Sequence, residues 1–441
     1  MAASPESPLR PWRDLLPELL GDVIARLPFP ADRARLRAVC RRWRSAARRH
    51  TRQLPWLVMP DGSFCTVGNA GALYFPLGTI PGDATCVGST DGWLALDRTD
   101  DAYRRTDELM HSAAYKGYPR RDVNHRHSYL LHNPFSGATV PLPELDAVIG
   151  HVSEMFEIRK VLMRSSAPDD VIAIMTNSIN CNVIMCHPGK GTFIVTYSCI
   201  CDIAFIGEWL YGITPREDLF AFHPGEDDDG KPTIVDCRRV IKHQFTDGEE
   251  DPWIWMDDND DGNSNDDNDN GGDGDGGGYN DDGPPNQEEE DGFHGDGLVP
   301  DGIEIGPYTE GAHKGHAITT QRLVKSHGVK LLMVRRLVQQ PLFTSSYIRE
   351  VEVFKADMDA GKWIPVPHNG LAQDEAIFLS PAFCKSSPVC GDMKAGFIYG
   401  DDTNEMFETR SWASSPFRIP GQTKYFWRMW TTWIFPPELV V

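Results

Sequence analysis

The feature that most constrains this chain is a unit of strand, tight turn and strand that recurs through its body. Leu130-Leu131-His132-Asn133-Pro134-x-x-Gly137 leads into Val140-Pro141-Leu142-Pro143, and Ile184-Met185-Cys186-His187-Pro188-Gly189 leads into Thr192-Phe193-Ile194-Val195. Leu219 to Phe222 runs into His223-Pro224-Gly225, and Val351 to Phe354 passes through Asp357, Asp359 and Gly361 into Lys362-Trp363-Ile364-Pro365-Val366. Other short β-type runs, Gly92 to Asp97, Val171 to Met175, Lys330 to Val334 and Gly396 to Tyr399, stand between Gly, Pro and Asp turns. Few stretches beyond Leu57 carry a helical period, so the body is expected to be all-β. A lone hairpin cannot cover its own faces. Recurring hairpins therefore predict the blades of a β-propeller, each sheet covered by its neighbours, in preference to a sandwich. The period is uneven, 55 residues from His132 to His187 and 36 from His187 to His223.

The first fifty residues obey a different rule. Leu16, Leu19, Leu20, Val23, Ile24 and Leu27 fall at i, i+3, i+4, i+7, i+8 and i+11, the stripe of an amphipathic helix. Pro17 sits where a first-turn proline is tolerated, and Pro28 and Pro30 end the helix. Asp32 is placed to cap a second helix with apolar positions Leu36, Val39, Cys40, Trp43, Ala46 and Ala47. Burying a large apolar side chain gains only about 1.5–3 kcal/mol, so two short helices need a partner to cover their stripe. The segment holds twelve arginines and four acids between Arg10 and Arg52, but no aromatic residues interleave for base stacking. A solvated basic helix face is the expectation, and no nucleic-acid partner.

Trp12-x-Asp14-Leu15-Leu16-Pro17-Glu18-Leu19-Leu20, then Ile24, Leu27-Pro28, Asp32 and Arg37-x-Val39-Cys40-Arg41-x-Trp43-Arg44 resemble an F-box of the plant type. Leu16 departs from it, standing where that signature commonly has proline. The resemblance implies docking on a Skp-type adaptor that links to a cullin and a RING subunit. It implies an adaptor-binding set of Leu15, Leu16, Pro17, Leu20, Ile24, Leu27, Val39 and Trp43, with Val39, Cys40 and Trp43 also packing the helices together.

The body carries a second resemblance. Tyr129 to Pro143, Glu352 to Val366, Glu375 to Ser380, Gly396 to Tyr399 before Asp401-Asp402, and the closing Trp433-Ile434-Phe435-Pro436 are similar to the plant domain-of-unknown-function 295 family. That family often follows an F-box, and the resemblance implies a propeller. The expected organisation is a disordered N-terminus over 1–9, a small all-α F-box over 10–52, and an all-β domain in two parts, 55–246 and 303–441, split by an acidic insertion over 247–302.

That insertion decides what the charge means. The chain carries a formal charge of −21, and the stretch from Asp247 to Asp301 holds 21 acids and no Lys or Arg, so the remainder is neutral. Asp, Asn and Gly with little to bury predict disorder. Asp257-x-Asn259-x-Asp261-Gly262 opens like an EF-hand loop, but Ser264 and Asn268 occupy the places of its apolar eighth residue and its bidentate glutamate. No metal site is expected there.

Nothing else argues for chemistry. The ten cysteines form no Cys-x-x-Cys pair, which favours free thiols in a reducing compartment, cytoplasm or nucleus. Gly225-x-x-x-x-Gly230-Lys231 resembles a phosphate loop until Pro232, where a Ser or Thr would hold magnesium. His125-x-His127 and His313-x-x-His316 are expected to be hydrogen-bonded or solvated side chains, not metal ligands. No run of apolar residues suggests a transmembrane helix. The expectation is a non-catalytic, cofactor-free receptor subunit of a ubiquitin ligase that binds an unidentified target protein. The alternatives are an F-box binding protein outside any ligase and a propeller enzyme with an appended F-box. Deleting residues 255–296 should leave the thermal unfolding midpoint unchanged or slightly raised; a fall of many degrees in a melting curve would show that the acidic segment packs on the fold.

Overall fold

The computed structural model describes residues 15–25, 27, 30–49, 54–59, 62–67, 80–101, 119–195, 200–243, 317–339, 347–367, 371, 374–390, 393–400, 405–416 and 431–436, with 82, 91, 329 and 412 excepted. The acidic stretch, Cys199, His313 and His316 lie outside the described residues. Three helices come first: α1 (Pro17–Ala25), α2 (Pro30–Val39) and α3 (Arg41–Arg49). The second expected helix is thus two helices, broken at Cys40. Cys40 sits immediately before α3, and its Sγ accepts the Trp43 N–H at 3.5 Å, the bond an N-cap side chain makes. Asp32 lies in the first turn of α2, ion-paired to Arg35 at 2.7 Å, and is not its cap.

The remainder is sheet. β1 (Trp56–Val58) and β2 (Phe64–Thr66) precede four four-stranded units. The first is β3 (Ala84–Thr90), β4 (Trp93–Thr99), β5 (Asn124–His132) and β6 (Thr139–Pro141), followed by α4 (Pro143–Ile149) and β7 (His151–Ser153), which pairs back on β5. The second is β8 (Ile158–Met163), β9 (Ile172–Thr176), β10 (Val183–His187) and β11 (Gly191–Val195). The third is β12 (Asp202–Ile206), β13 (Trp209–Ile213), β14 (Leu219–Glu226) and β15 (Pro232–Ile241). The fourth is β16 (Ala317–Lys325), β17 (Leu331–Gln339), β18 (Tyr347–Asp357) and β19 (Lys362–Pro365). The last strands are β20 (Glu375–Leu379), β21 (Cys384–Pro388), β22 (Phe397–Gly400), β23 (Glu405–Glu408), β24 (Ser414–Pro416) and β25 (Thr432–Ile434).

Each four-stranded unit is an antiparallel meander, and its third and fourth strands are the hairpin read from the sequence. Pairs His132↔Thr139, His187↔Gly191 and Asp357↔Lys362 close three of these hairpins. Gly137 turns at φ 77°, a left-handed backbone that other residues rarely adopt, and its N–H meets the Asn133 carbonyl at 2.8 Å. His223-Pro224-Gly225 lies within β14 and is not the turn. The turn to β15 is made by Asp227 to Lys231, with the Lys231 N–H on Asp227 Oδ1 at 2.8 Å, and no helix follows it to hold a phosphate. The uneven repeat has a structural cause. The helix α4 and strand β7 are inserted between the first two units.

The first strands of the four units stand side by side, β3 against β8, β8 against β12 and β12 against β16, and β16 then meets β21. A single parallel bridge, Lys325↔Lys385, joins the last of these contacts. Closure comes from the far end of the chain. β25 pairs antiparallel with β1, lies against β3, and sends the Trp433 Nε1–H to the Leu379 carbonyl on β20 at 3.2 Å. The sheets therefore run round a ring, the arrangement of a β-propeller. Apolar clusters fill the spaces between neighbouring sheets: Trp56, Phe64, Leu94 and Ile434 in one, Leu131, Ile158, Ile174 and Ile184 in the next, and Leu219, Ile213, Met333 and Leu331 further round.

The nine described cysteines are free thiols. Burial pushes the thiols of Cys65, Cys86, Cys186 and Cys201 up to about 12. Trp433 is fully buried against Phe378, ring centroids 5.0 Å apart, at the seam of the ring. Trp433→Ala should destabilise the fold by about 3–5 kcal/mol in chemical denaturation; a loss below about 1 kcal/mol would mean that β25 does not close the ring.

Candidate functional site

The three N-terminal helices build a small core of their own. Leu20, Ile24, Leu36, Ala46 and Ala47 are buried together, with Leu15, Leu27 and Trp43 half-buried against them. Arg33 is buried as well, and its Nε–H donates to the Leu27 carbonyl at 3.0 Å, beyond the last turn of α1. Burial pushes its guanidinium down to about 10, against the opposing pull of Cys390 from the β-domain. Arg44 ties α3 to α2 through the Arg37 carbonyl at 3.3 Å.

This arrangement sorts the residues expected to meet an adaptor. Leu20 and Ile24, at 1% and 0% exposure, belong to the internal core. Leu15, Leu27 and Trp43 form its rim, and Pro17 opens α1. Leu16 and Val39 are exposed, at 59% and 61%. Two residues not assigned to the docking set, Leu19 and Val23, are also exposed, at 49% and 38%. Leu16, Leu19 and Val23 follow the i, i+3, i+7 spacing of one helix face. An apolar row facing outward beside a completed core is a surface for a partner, since isolated apolar residues are common but aligned ones need cover. The periodicity could not separate the two rows, because both Leu19-Val23 and Leu20-Ile24 fit it.

The β-domain offers a second cluster of polar groups. The His127 ring, wholly buried, donates through Nδ1–H to Asp97 at 2.9 Å. Two residues away on β5, His125 lies 3.3 Å from Glu154 and 3.4 Å from Asp100. Arg120 grips both oxygens of Glu154, from Nη2 at 2.7 Å and Nε at 3.2 Å, and adds its backbone N–H at 2.9 Å. Donor atoms of Asp101, His125 and Glu154 lie within 4.8 Å of one another, spacing that would suit a metal, but Glu154 is already committed to a cation. The cluster is an electrostatic clasp joining the strand entry at Arg120 to the chain after β7. The reading of His125 and His127 as hydrogen-bonded side chains agrees with it.

The family model for the F-box domain matches residues 12–52, and the model for the KIB1-4 beta-propeller matches residues 64–414. The chain belongs to the KIB1-4 β-propeller family. It is thus an F-box protein with a β-propeller, the make-up of an F-box receptor-type protein. No curated protein matches it. Among the described residues no helix is long and apolar enough to cross a membrane.

The clasp gives a pH test. Arg120 holds the Glu154 carboxyl down at about 2. A depressed carboxyl contributes stability above its unfolded value, about 4.3, and loses it as pH falls through its folded one. Arg120→Gln should therefore lower the melting midpoint at pH 5–7, and the gap from the native chain should close as pH falls toward 2. A gap of constant size across that range would show that the pair is not linked.

Proposed function

We propose that this protein is the substrate-receptor subunit of a Skp–cullin–F-box ubiquitin ligase, with the helical module docking on a Skp-type adaptor and the propeller holding a target protein. The observation that carries the reading is the outward row Leu16, Leu19 and Val23 on a helix whose inner row is already buried. An adaptor with an apolar groove would cover that row, with Val39 as a further apolar contact and Leu15, Leu27 and Trp43 at its margin. The Trp43 Nε1–H is buried and has no hydrogen-bond partner among the described residues, so a partner's carbonyl could satisfy it.

The chain itself supplies no bond-making step in this scheme. Its role is proximity: holding a target where a RING-bound conjugating enzyme can reach it raises the effective concentration of the reacting groups. The work belongs in the cytoplasm or nucleus, where cullin complexes operate.

Leu20→Asp and Ile24→Asp would bury an unpaired charge and test folding, not docking. Leu19→Asp with Val23→Asp tests docking. These exposed changes should move stability by no more than about 0.5 kcal/mol and should abolish recovery of the adaptor when the two proteins are co-expressed. Full recovery of the adaptor by this variant would refute the docking face. Adaptor binding by the native chain without ubiquitin transfer to any bound protein would leave an F-box protein working outside a ligase.

A further inference from the structure

The helical module carries a second exposed feature, distinct from the apolar row. Helix α3 begins Arg41-Arg42-Trp43-Arg44, with Arg41, Arg42 and Arg44 exposed and no acid in the first turn. A helix N-terminus bears the positive end of the backbone dipole, so cations there work against the helix and acids would favour it. The cap gives no compensation, since the group accepting the Trp43 N–H is the Cys40 sulfur and not a carboxylate. These arginines are not placed for the stability of α3.

Nor are they taken up by the acids of the module. Asp32 is paired with Arg35 on α2. Arg44 gives its Nε–H to the Arg37 carbonyl at 3.3 Å, and neither Arg41 nor Arg44 makes an ion pair among the described residues. Standing three apart, Arg41 and Arg44 share one side of the helix. Val39, 61% exposed, closes α2 just before that turn. Trp43 lies between the two arginines in sequence, and its buried Nε1–H has no hydrogen-bond partner among the described residues. Cations, an apolar side chain and an unused donor thus meet at the α2–α3 corner. A nucleic-acid backbone would use the cations and leave Val39 uncovered, whereas an acidic protein segment can use all three.

We propose that the α2–α3 corner takes an acidic segment of the adaptor, with carboxylates on Arg41 and Arg44 and an apolar side chain on Val39. The corner has this role only if the helical module docks on the adaptor as proposed above, and it adds to the apolar row a contact of a different kind. Charges at the rim of an interface govern mainly how fast the partners meet and how salt changes that rate, while apolar contacts govern how long they stay. The row Leu16, Leu19 and Val23 holds the adaptor, and the corner steers it on.

Biolayer interferometry of the full chain with a purified Skp-type adaptor, between about 50 and 300 mM chloride, tests it. The association rate should fall by roughly threefold or more across that range. Arg41→Gln with Arg44→Gln should lower the low-salt rate by a similar factor, flatten its salt dependence and leave dissociation nearly unchanged. Arg44 also ties α3 to α2, so Arg41→Gln alone is the second variant, expected to shift the rate less and in the same direction, and circular dichroism checks the fold of both. An oligoglutamate peptide should compete with the adaptor for the native chain and not for the double variant. A native rate independent of salt, or equal rates in the native chain and the folded variants, would overturn the acidic contact and leave the apolar docking row standing. A native chain that binds no adaptor would overturn the docking reading itself, and the role of the corner with it. Binding of duplex DNA that the double variant loses, with adaptor association unchanged, would overturn the proposal in favour of a nucleic acid.

Discussion

The fold depends on a pairing between the two ends of the described chain. Strand β25 takes its place beside β1 and meets β3 at Ser89, whose hydroxyl reaches both Thr432 Oγ1 and the Trp433 carbonyl. Without it the first and last sheets would each expose a face of Trp, Phe and Ile to water. The cluster of Trp56, Phe64, Leu94 and Ile434 draws on both ends and is complete only when β25 is in place. The other clusters lie between sheets that are consecutive in the chain. Local turns make the hairpins, but the long-range pairing makes the core, and such non-local contacts cost chain entropy before they return any stability.

How much of this was legible follows from where the information sits. Third-to-fourth-strand hairpins were readable because their turns demand particular residues, Asn133 and Gly137 in one and Asp357 and Gly361 in another. Addition of a Cβ at Gly361 would bring it 3.3 Å from the Val240 carbonyl, so the turn is also fixed by a neighbouring sheet. The inner strands carry no such signal: Val161 to Met163 and Ile203 to Phe205 are continuous apolar runs, buried on both faces. Helix α4 was hidden because Val140-Pro141-Leu142-Pro143 reads as the second strand of a hairpin. Pro143 instead begins the helix, with Glu144 and Asp146 in its first turn.

The docking module shows the same limit in a sharper form. In α1, Leu19, Leu20, Val23 and Ile24 fall within one continuous arc of about 140°, so helical period alone cannot tell the buried row from the exposed one. The choice is made by α2 and α3, whose Leu36, Ala46 and Ala47 select Leu20 and Ile24. Cys40 separates α2 from α3, its sulfur accepting the Trp43 N–H, a cap weaker than the oxygen caps from which such boundaries are read. The lysines that line one cavity between the sheets were invisible for a different reason. Lys160, Lys325 and Lys385 are scattered over more than two hundred positions, and only the ring brings them together.

The buried thiols have a consequence for how this protein ages. Attack on an oxidant or a disulfide requires the thiolate, and a thiol held near 12 supplies almost none at neutral pH. Cys65, Cys86 and Cys186 are therefore chemically silent while the sheets stay closed, and each becomes an ordinary reactive cysteine once its sheet opens. Alkylation at these positions would keep a chemical record of every opening, sheet by sheet, with Cys65 reporting the closing seam and Cys186 the second unit.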